Sequence, residues 1–182
     1  MTNGVVPLVW VMIGVSGSGK TTIGRLLADR LACDFLEGDR RHPAANIQKM
    51  AAQMPLTDVD RQEWLDAIAD DIHRAITLNR ETVLTCSALK QAHRQRLANL
   101  GLVQLVWLTL PEPDLRQRLA QRQNHYMQTE LLASQLDAFE RIDSKEATIA
   151  VDATQSPSEV VDQIWWQAID RYPRLKQVWW QR

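Results

Sequence analysis

The chain alternates short apolar runs with segments in which apolar residues recur at helical spacing. Residues 8–13 form a continuous apolar run, which is typical of a strand buried on both faces of a sheet. After it, Ile23, Leu27 and Leu31 recur every four residues, and this spacing predicts a helix over 20–31. Strand and helix then alternate, which predicts a parallel sheet with helices on both faces.

The other strands and helices are predicted in the same way, from apolar runs and from helical spacing, and their bounds from residues that cap or end a helix. We predict further strands at residues 34–37, 82–86, 103–110 and 148–151. We predict further helices at residues 44–53, 90–100, 114–123 and 130–139, one from residue 57 onward and one from residue 156 onward. Thr57 is suited to cap its helix, because a threonine hydroxyl can accept a hydrogen bond from a free backbone N–H. Five strands in this order predict a three-layer α/β/α fold around a five-stranded parallel sheet.

The stretch between the first strand and the first helix fits the phosphate-binding pattern G-x-x-x-x-G-K-[ST] without a mismatch. Its glycines let the backbone approach a phosphate closely, and inward-facing N–H groups make a nest for an anion. Lys20 would add a positive charge at the β- and γ-phosphates, and the Thr21 hydroxyl can ligate Mg²⁺. The predicted nucleotide-binding residues are Gly14, Val15, Ser16, Gly17, Ser18, Gly19, Lys20, Thr21 and Thr22. With a strand before it and a helix after it, the loop predicts a P-loop NTPase of nucleoside-monophosphate-kinase-like fold that uses ATP and Mg²⁺.

Composition and charge narrow the class of protein. The 182 residues suit one P-loop kinase domain over 1–182, and hydrophobic content is an ordinary 45%. A net charge of -1 argues against broad binding to nucleic acid. No apolar run reaches the length of about 20 residues that a membrane span needs. Without a basic leader, and with only Cys33 and Cys86 as thiols, the sequence predicts a cytoplasmic protein with both cysteines reduced.

A phosphate loop alone does not distinguish a kinase from a GTPase, a motor or a nucleotide-driven switch. The guanine-reading pattern Asn-Lys-x-Asp is missing from the sequence, which disfavours a GTPase. Arg118 and Arg122 lie one helical turn apart before a polar segment, as in a mobile lid that closes over ATP and neutralises the transferring phosphoryl group. We therefore predict a helical lid over about 118–136. The alternative is a solvated basic face that also includes Arg116.

Several motifs together resemble one family of small-molecule kinases. The phosphate loop is followed by Gly38-Asp39-x-x-His42-Pro43, Pro55-Leu56-x-Asp58-x-Asp60-Arg61, Cys86-Ser87-Ala88-Leu89-Lys90, Arg118-x-x-x-Arg122-x-x-His125 and Ser134-Gln135. This series, spread over about residues 11–140, is similar to bacterial-type gluconokinases of the thermoresistant gluconokinase family. The resemblance implies phosphorylation of D-gluconate at O6 with ATP and Mg²⁺, by a homodimer. Departures at residues 51–54 and 93–95 leave another small hydroxy acid open as the acceptor, and a non-catalytic nucleotide-binding regulator is the alternative of a different class.

The resemblance also implies roles for individual residues. The implied catalytic residues are Lys20, Asp39, Arg118 and Arg122. Asp39 would orient the acceptor hydroxyl and take its proton, or hold Mg²⁺ through water, and the two roles can coexist. His42 and His125 would bind the sugar acid. A carboxylate acceptor needs a cation, and the candidates are Lys49, Arg61, Lys90 and Arg94, each with a surface role as the alternative.

The C-terminal stretch over 172–182 is rich in tryptophan. Together with Trp165 and Trp166 it places four of the seven tryptophans near the end of the chain. An exposed cluster of them would form an apolar patch suited to a partner, such as a second copy of the chain. The alternative is a tail that packs on its own core.

Overall fold

The computed structural model describes residues 8–121, 129–173 and 175. Its strands are β1 (Val9–Ile13), β2 (Asp34–Glu37), β3 (Thr82–Thr85), β4 (Val103–Thr109) and β5 (Thr148–Asp152). Its α-helices are α1 (Lys20–Leu31), α2 (Ala44–Ala51), α3 (Asp58–Thr77), α4 (Gln91–Ala98), α5 (Glu112–Ala120), α6 (Thr129–Ala138) and α7 (Pro157–Arg171). A short 3-10 helix, Gly38–Arg41, follows β2 directly.

The five strands form one parallel sheet in the order β2-β3-β1-β4-β5. The central strand β1 pairs with β3, where Met12 lies opposite Thr85, and with β4, where Ile13 lies opposite Trp107. Because all strands run the same way, their carboxyl ends meet at one edge of the sheet. The phosphate loop, the 3-10 helix and the segment after β3 all begin at this edge.

Helices cover both faces of the sheet, as the alternating pattern predicted. On one face Trp10 and Met12 pack with residues of α1 and α7 such as Leu27 and Ile164, and all of these side chains are buried. On the other face Val9, Val11 and Ile13 pack against the apolar stripe of α3, which includes Trp64, Ile68 and Ile72. Alternate side chains of β1 therefore pack against the helices on opposite faces of the sheet, which explains why its sequence is apolar throughout.

The predicted element boundaries hold to within a few residues, and the caps explain the differences. Thr57 is the N-cap of α3, as predicted, and forms a capping box with Asp60; Ser156 and Glu159 form another at the start of α7. Helix α4 begins at Gln91, one residue later than predicted, because Lys90 has an extended backbone. Helix α5 begins two residues earlier than predicted, at Glu112 directly after Pro111.

The start of the C-terminal stretch packs on the chain's own core. Leu175 is buried in the cluster beneath α7, and the Tyr172 hydroxyl donates to Gln104 Oε1 over 3.0 Å. Trp165 is buried, whereas Trp166 is 65% exposed. The other two tryptophans of this stretch, Trp179 and Trp180, lie outside the described residues. Within the described ranges, every helix is too short or too polar to cross a membrane.

Candidate active site

The phosphate loop leaves β1 and curls back onto its own backbone. Gly17 and Gly19 have φ angles of 86° and 98°, in the left-handed region that glycine adopts at little cost. The Lys20 ammonium donates to the Val15 carbonyl over 3.0 Å, which places the charged group on the inner side of the loop. Helix α1 starts at Lys20, so its free N–H groups and positive dipole end face the same space.

A carboxylate that sequence reasoning did not assign joins the loop to the neighbouring strands. Glu37 Oε1 accepts a hydrogen bond from the Thr21 hydroxyl at 3.1 Å and another from the Thr85 hydroxyl at 2.6 Å. The Thr85 hydroxyl in turn accepts from the Gly38 N–H at 3.1 Å. The feature of the sequence that could have identified Glu37 as a site residue is its position at the end of β2, two residues before Asp39.

The 3-10 helix that carries Asp39 is held in place by α3. The Trp64 indole N–H donates to the Gly38 carbonyl over 2.8 Å. Arg41 makes a two-pronged ion pair with Asp71, at 2.6 and 2.7 Å. These contacts fix the backbone on both sides of Asp39, so its carboxylate has a defined position.

Three neighbouring cavities lie along this edge of the sheet. The inner pocket lies between the loop, α3 and α6; its polar lining is Ser16, Lys20, Asp39, His42, Arg61, Ser87, Ser134 and Gln135, and its apolar wall is Met50, Met54, Pro55 and Leu56. The loop cleft lies outside it and is lined by Ser16, Gly17, Gly19, Lys20, Thr21, Thr22, Glu37, Asp39, Arg40 and Ile47. The side cleft lies beyond the loop and is lined by Gly17, Gly19, Thr22, Ile23, Arg118, Gln121, Ala153, Gln155 and Pro157.

The inner pocket and the loop cleft share the side chains of three residues. Ser16, Lys20 and Asp39 line both the inner pocket and the loop cleft. A molecule in the inner pocket would therefore meet a phosphate in the loop cleft beside Lys20 and Asp39. This arrangement suits the transfer of a phosphoryl group from one cavity to the other.

His42 is brought into the inner pocket as a neutral ring. It stacks on Trp64, with ring centroids 4.5 Å apart and planes 11° from parallel. Burial lowers the pKa of His42 from 6.5 to about 4, although the nearby Asp39 carboxylate opposes the shift. A neutral imidazole can both donate and accept a hydrogen bond, which suits a sugar hydroxyl.

Two of the four candidate cations are paired outside the inner pocket. Lys49 binds Asp60 at 2.5 Å, and Lys90 binds Asp58 at 2.6 Å. Both acids belong to the first turn of α3, where they also complement the helix dipole. Neither lysine is part of the inner-pocket lining.

Arg94 corrects the sequence prediction. Its side chain is fully buried, and it binds Glu146 through two nitrogens at 2.6 and 2.9 Å and the Leu89 carbonyl at 2.9 Å. Hydrogen bonds from Arg94 lower the pKa of Glu146 below its ordinary value. With its guanidinium used in this way, Arg94 joins α4 to the segment after α6 and does not reach the inner pocket.

Arg61 is the candidate cation that the fold does bring to the inner pocket. Within the part of the chain that the structure describes, its guanidinium makes no ion pair or hydrogen bond. Burial lowers the pKa of Arg61 from its ordinary value, whereas Asp58 and Asp60 raise it. An arginine titrates so far above neutrality that Arg61 stays charged and offers a fork-shaped donor.

Part of the predicted lid lies within the described residues. Arg118 lies beside Gly17 and Gly19 in the side cleft and donates to the Ala153 carbonyl at 2.7 Å. This location fits a role at the nucleotide. Arg122 and His125 lie outside the described residues.

Helix α6 contributes two side chains that were not predicted as site residues. Ser134 and Gln135 line the inner pocket, and Gln135 Oε1 accepts from the Ser16 N–H at 2.7 Å. The separation of 119 residues between these partners explains why periodicity did not reveal the contact. Only their place in the family motif series pointed to them.

Comparison with known proteins agrees with the fold and with the family resemblance. The AAA domain family matches residues 9–142. The gluconokinase of Gluconobacter oxydans is 39% identical over 162 residues, which cover 88% of this chain and 91% of that protein. The thermoresistant gluconokinase of Escherichia coli is 34% identical over 84% of this chain and 88% of its own length. The crystal structure of a gluconokinase from Sinorhizobium meliloti superposes with a TM-score of 0.79 at 35% identity, over 97% of this chain and 98% of that one.

The fold and the site define a P-loop kinase of nucleoside-monophosphate-kinase-like architecture. The strand–loop–helix unit, the parallel sheet and the carboxylate opposite the loop all belong to that class. Because several relatives above 30% identity align over most of their length and of this chain, the chain belongs to the gluconokinase family.

The neutral state of His42 predicts a pH-dependent stability. The unfolded chain protonates this histidine near its ordinary pKa of 6.5, and the folded chain only near 4. Stability is therefore lost as the pH falls from about 6.5 toward 4. Urea unfolding of His42→Phe, which keeps an aromatic ring on Trp64, should show a loss between pH 7 and pH 5 that is about 1 kcal/mol smaller than in the wild type. Equal losses in both proteins would contradict the assignment.

The buried Arg94 predicts a large effect on folding. Arg94→Gln would leave the Glu146 carboxylate without its partner, at a cost of about 3–5 kcal/mol in the free energy of unfolding. Arg96 is the matched control on the same helix, because it pairs with Asp66 at the exposed surface. Arg96→Gln should cost less than about 1 kcal/mol. Similar small losses for both variants in urea unfolding would show that the buried pair is not structural.

Proposed function

We propose that this protein transfers the γ-phosphoryl group of ATP to O6 of D-gluconate, giving 6-phosphogluconate and ADP. The observation that carries the proposal is the junction of the inner pocket and the loop cleft at Ser16, Lys20 and Asp39. The donor phosphate approaches this junction from one cavity and the acceptor from the other. Relatives named as gluconokinases support gluconate as the acceptor.

The donor side is built from the phosphate loop and its neighbours. The loop backbone and Lys20 bind the β- and γ-phosphates of ATP, and Arg118, which lines the side cleft, would lie beside the nucleotide. The oxygen atoms of the Thr21 hydroxyl and the Glu37 carboxylate lie 3.1 Å apart, and oxygen atoms are the ligands that Mg²⁺ prefers. Thr21 would hold the ion, with Glu37 beside it, and Mg²⁺ would neutralise charge on the phosphates.

The acceptor side orients one primary hydroxyl. Asp39 lies at the junction, where it can align the hydroxyl of the acceptor and take its proton as the new P–O bond forms. His42, neutral and stacked on Trp64, binds a neighbouring hydroxyl. The apolar wall that includes Met50 and Met54 faces the carbon chain.

Arg61 is the residue that binds the carboxylate of the acceptor. Lys49, Lys90 and Arg94 each have an acidic partner, at 2.5, 2.6 and 2.6 Å respectively. Arg61 lines the inner pocket and, among the described residues, has no acidic partner within ion-pair distance. A bidentate pair between guanidinium and carboxylate would satisfy both charges in a half-buried site.

A second candidate acceptor is another small hydroxy acid. The departure from the family pattern at residues 51–54 places Met54 in the apolar wall of the inner pocket, so it falls where the acceptor binds. A purely regulatory nucleotide-binding protein is disfavoured, because Lys20, Thr21 and Asp39 converge on one cleft.

Homodimer formation and a cytoplasmic location also belong to this proposal. The homodimer follows from the family resemblance, whereas the cytoplasmic location follows from the missing basic leader and the two cysteines, and both remain predictions. The exposed Trp166 side chain on α7 is an apolar group that self-association would cover.

Coupled ADP release over a panel of acceptors tests the function. We expect saturable turnover with gluconate and little with shikimate or nucleoside monophosphates. Asp39→Asn should lower kcat by about 10²–10⁴-fold, because the proton acceptor is lost, while ATP binding stays nearly unchanged. Fast turnover on another acceptor and none on gluconate would overturn the proposal, and unchanged turnover of Asp39→Asn would remove the role of Asp39.

The four candidate cations can be separated by matched substitutions. Arg61→Gln should raise KM for gluconate by about 10–100-fold, which corresponds to one lost charge-assisted contact, and should leave KM for ATP unchanged. Lys49→Gln and Lys90→Gln remove the same charge. They should change KM for gluconate by less than about threefold, because both lysines form ion pairs with acids in the first turn of α3. A larger effect from either lysine would reassign the carboxylate site.

A further inference from the structure

Two consecutive arginines at the end of the 3-10 helix have different surroundings. Arg41 turns toward α3 and is held by both carboxylate oxygens of Asp71. Arg40 turns the other way and lines the loop cleft beside Lys20, Thr21 and Glu37. Within the described part of the chain, the Arg40 guanidinium has no ion pair or hydrogen bond. One arginine thus anchors the helix, and the other leaves its guanidinium available at the cleft.

The charges around the loop cleft explain why a second cation is useful there. Its lining includes two carboxylates, Glu37 and Asp39, and two cations, Lys20 and Arg40. Bound ATP adds the negative charge of its phosphates to the same space. Without Arg40, Lys20 would be the one cation in this lining to balance both carboxylates and the nucleotide. A guanidinium also matches the spacing of phosphate oxygens better than an ammonium does.

We propose that Arg40 contacts the γ-phosphoryl group of bound ATP and stabilises its charge during transfer. Arg40 follows Asp39 directly in the chain and lines the loop cleft, whereas Arg118 lies in the side cleft beside Gly17 and Gly19. The inference rests on the proposed function in taking the γ-phosphoryl group of ATP as the group transferred.

Arg40 acts through its charge and its hydrogen bonds, and it forms no covalent bond during the transfer. The acceptor oxygen forms a bond to the γ-phosphorus, and the bond from that phosphorus to the bridging oxygen breaks. Its electron pair leaves with ADP, and the proton of the acceptor hydroxyl passes to Asp39. Arg40 stays protonated and donates to the non-bridging oxygens of the moving group.

Comparing the binding of an ATP analogue with that of ADP distinguishes a contact to the γ-phosphate from a general attraction of anions. Arg40→Gln should weaken binding of a non-hydrolysable ATP analogue with an intact γ-phosphate by about tenfold, as measured by calorimetry, and should change ADP binding by less than about twofold. In turnover, kcat should fall by about 10–100-fold with KM for gluconate unchanged. Arg40→Lys, which keeps the charge without the fork, should recover part of the loss.

Arg80→Gln is the matched control. Arg80 is 66% exposed and precedes β3, at the edge of the sheet opposite the site, so its loss changes net charge equally without reaching the cleft. If Arg40→Gln binds the analogue and turns over like Arg80→Gln, the proposal is wrong. Equal weakening of the analogue and of ADP would also overturn it. If the wild type fails to use gluconate but the loss specific to the analogue persists, the acceptor assignment falls and the role of Arg40 stands.

Discussion

The carboxylate of Glu37 is the interaction on which the geometry of the site depends. It accepts hydrogen bonds from Thr21 at the start of α1 and from Thr85 at the end of β3, so it joins three segments that are distant in the sequence. The adjacent Gly38 lies against β3 so closely that a Cβ there would be 1.9 Å from the Thr85 carbonyl oxygen. Only glycine allows that approach, and it brings Asp39 to the mouth of the phosphate loop.

The distribution of ion pairs then assigns different tasks to similar residues. Lys49 and Lys90 neutralise acids at the start of α3, Arg41 holds the 3-10 helix, and Arg94 is buried with Glu146. Arg61 and Arg40 differ from them, because each faces a cavity where a ligand can supply the missing negative charge. A carboxylate on one side and a phosphate on the other would complete the electrostatics of the site.

Much of this could be predicted from the sequence, because the strongest signals are local. The apolar run of β1, the helical spacing in α1 and the phosphate-loop pattern fall within 24 residues of one another and specify the donor half of the site. The acceptor half depends on contacts that have no periodicity, such as Gln135 on the Ser16 backbone and Trp64 on His42. The four candidate cations look alike in the sequence, since only the fold shows which ones meet an acid. Arg94 illustrates the difficulty: its partner Glu146 lies 52 residues away, and the pairing is visible only in three dimensions.

We propose that the inner pocket and the loop cleft bring a carboxylate acceptor and the γ-phosphate of ATP together at Asp39. A crystal structure of the complex with gluconate and a non-hydrolysable ATP analogue tests it most directly. We expect the gluconate carboxylate about 3 Å from the Arg61 guanidinium and O6 about 3.5 Å from the γ-phosphorus, beside Asp39. Gluconate bound outside the inner pocket, or held through Lys49 or Lys90 with Arg61 left uncontacted, would contradict it.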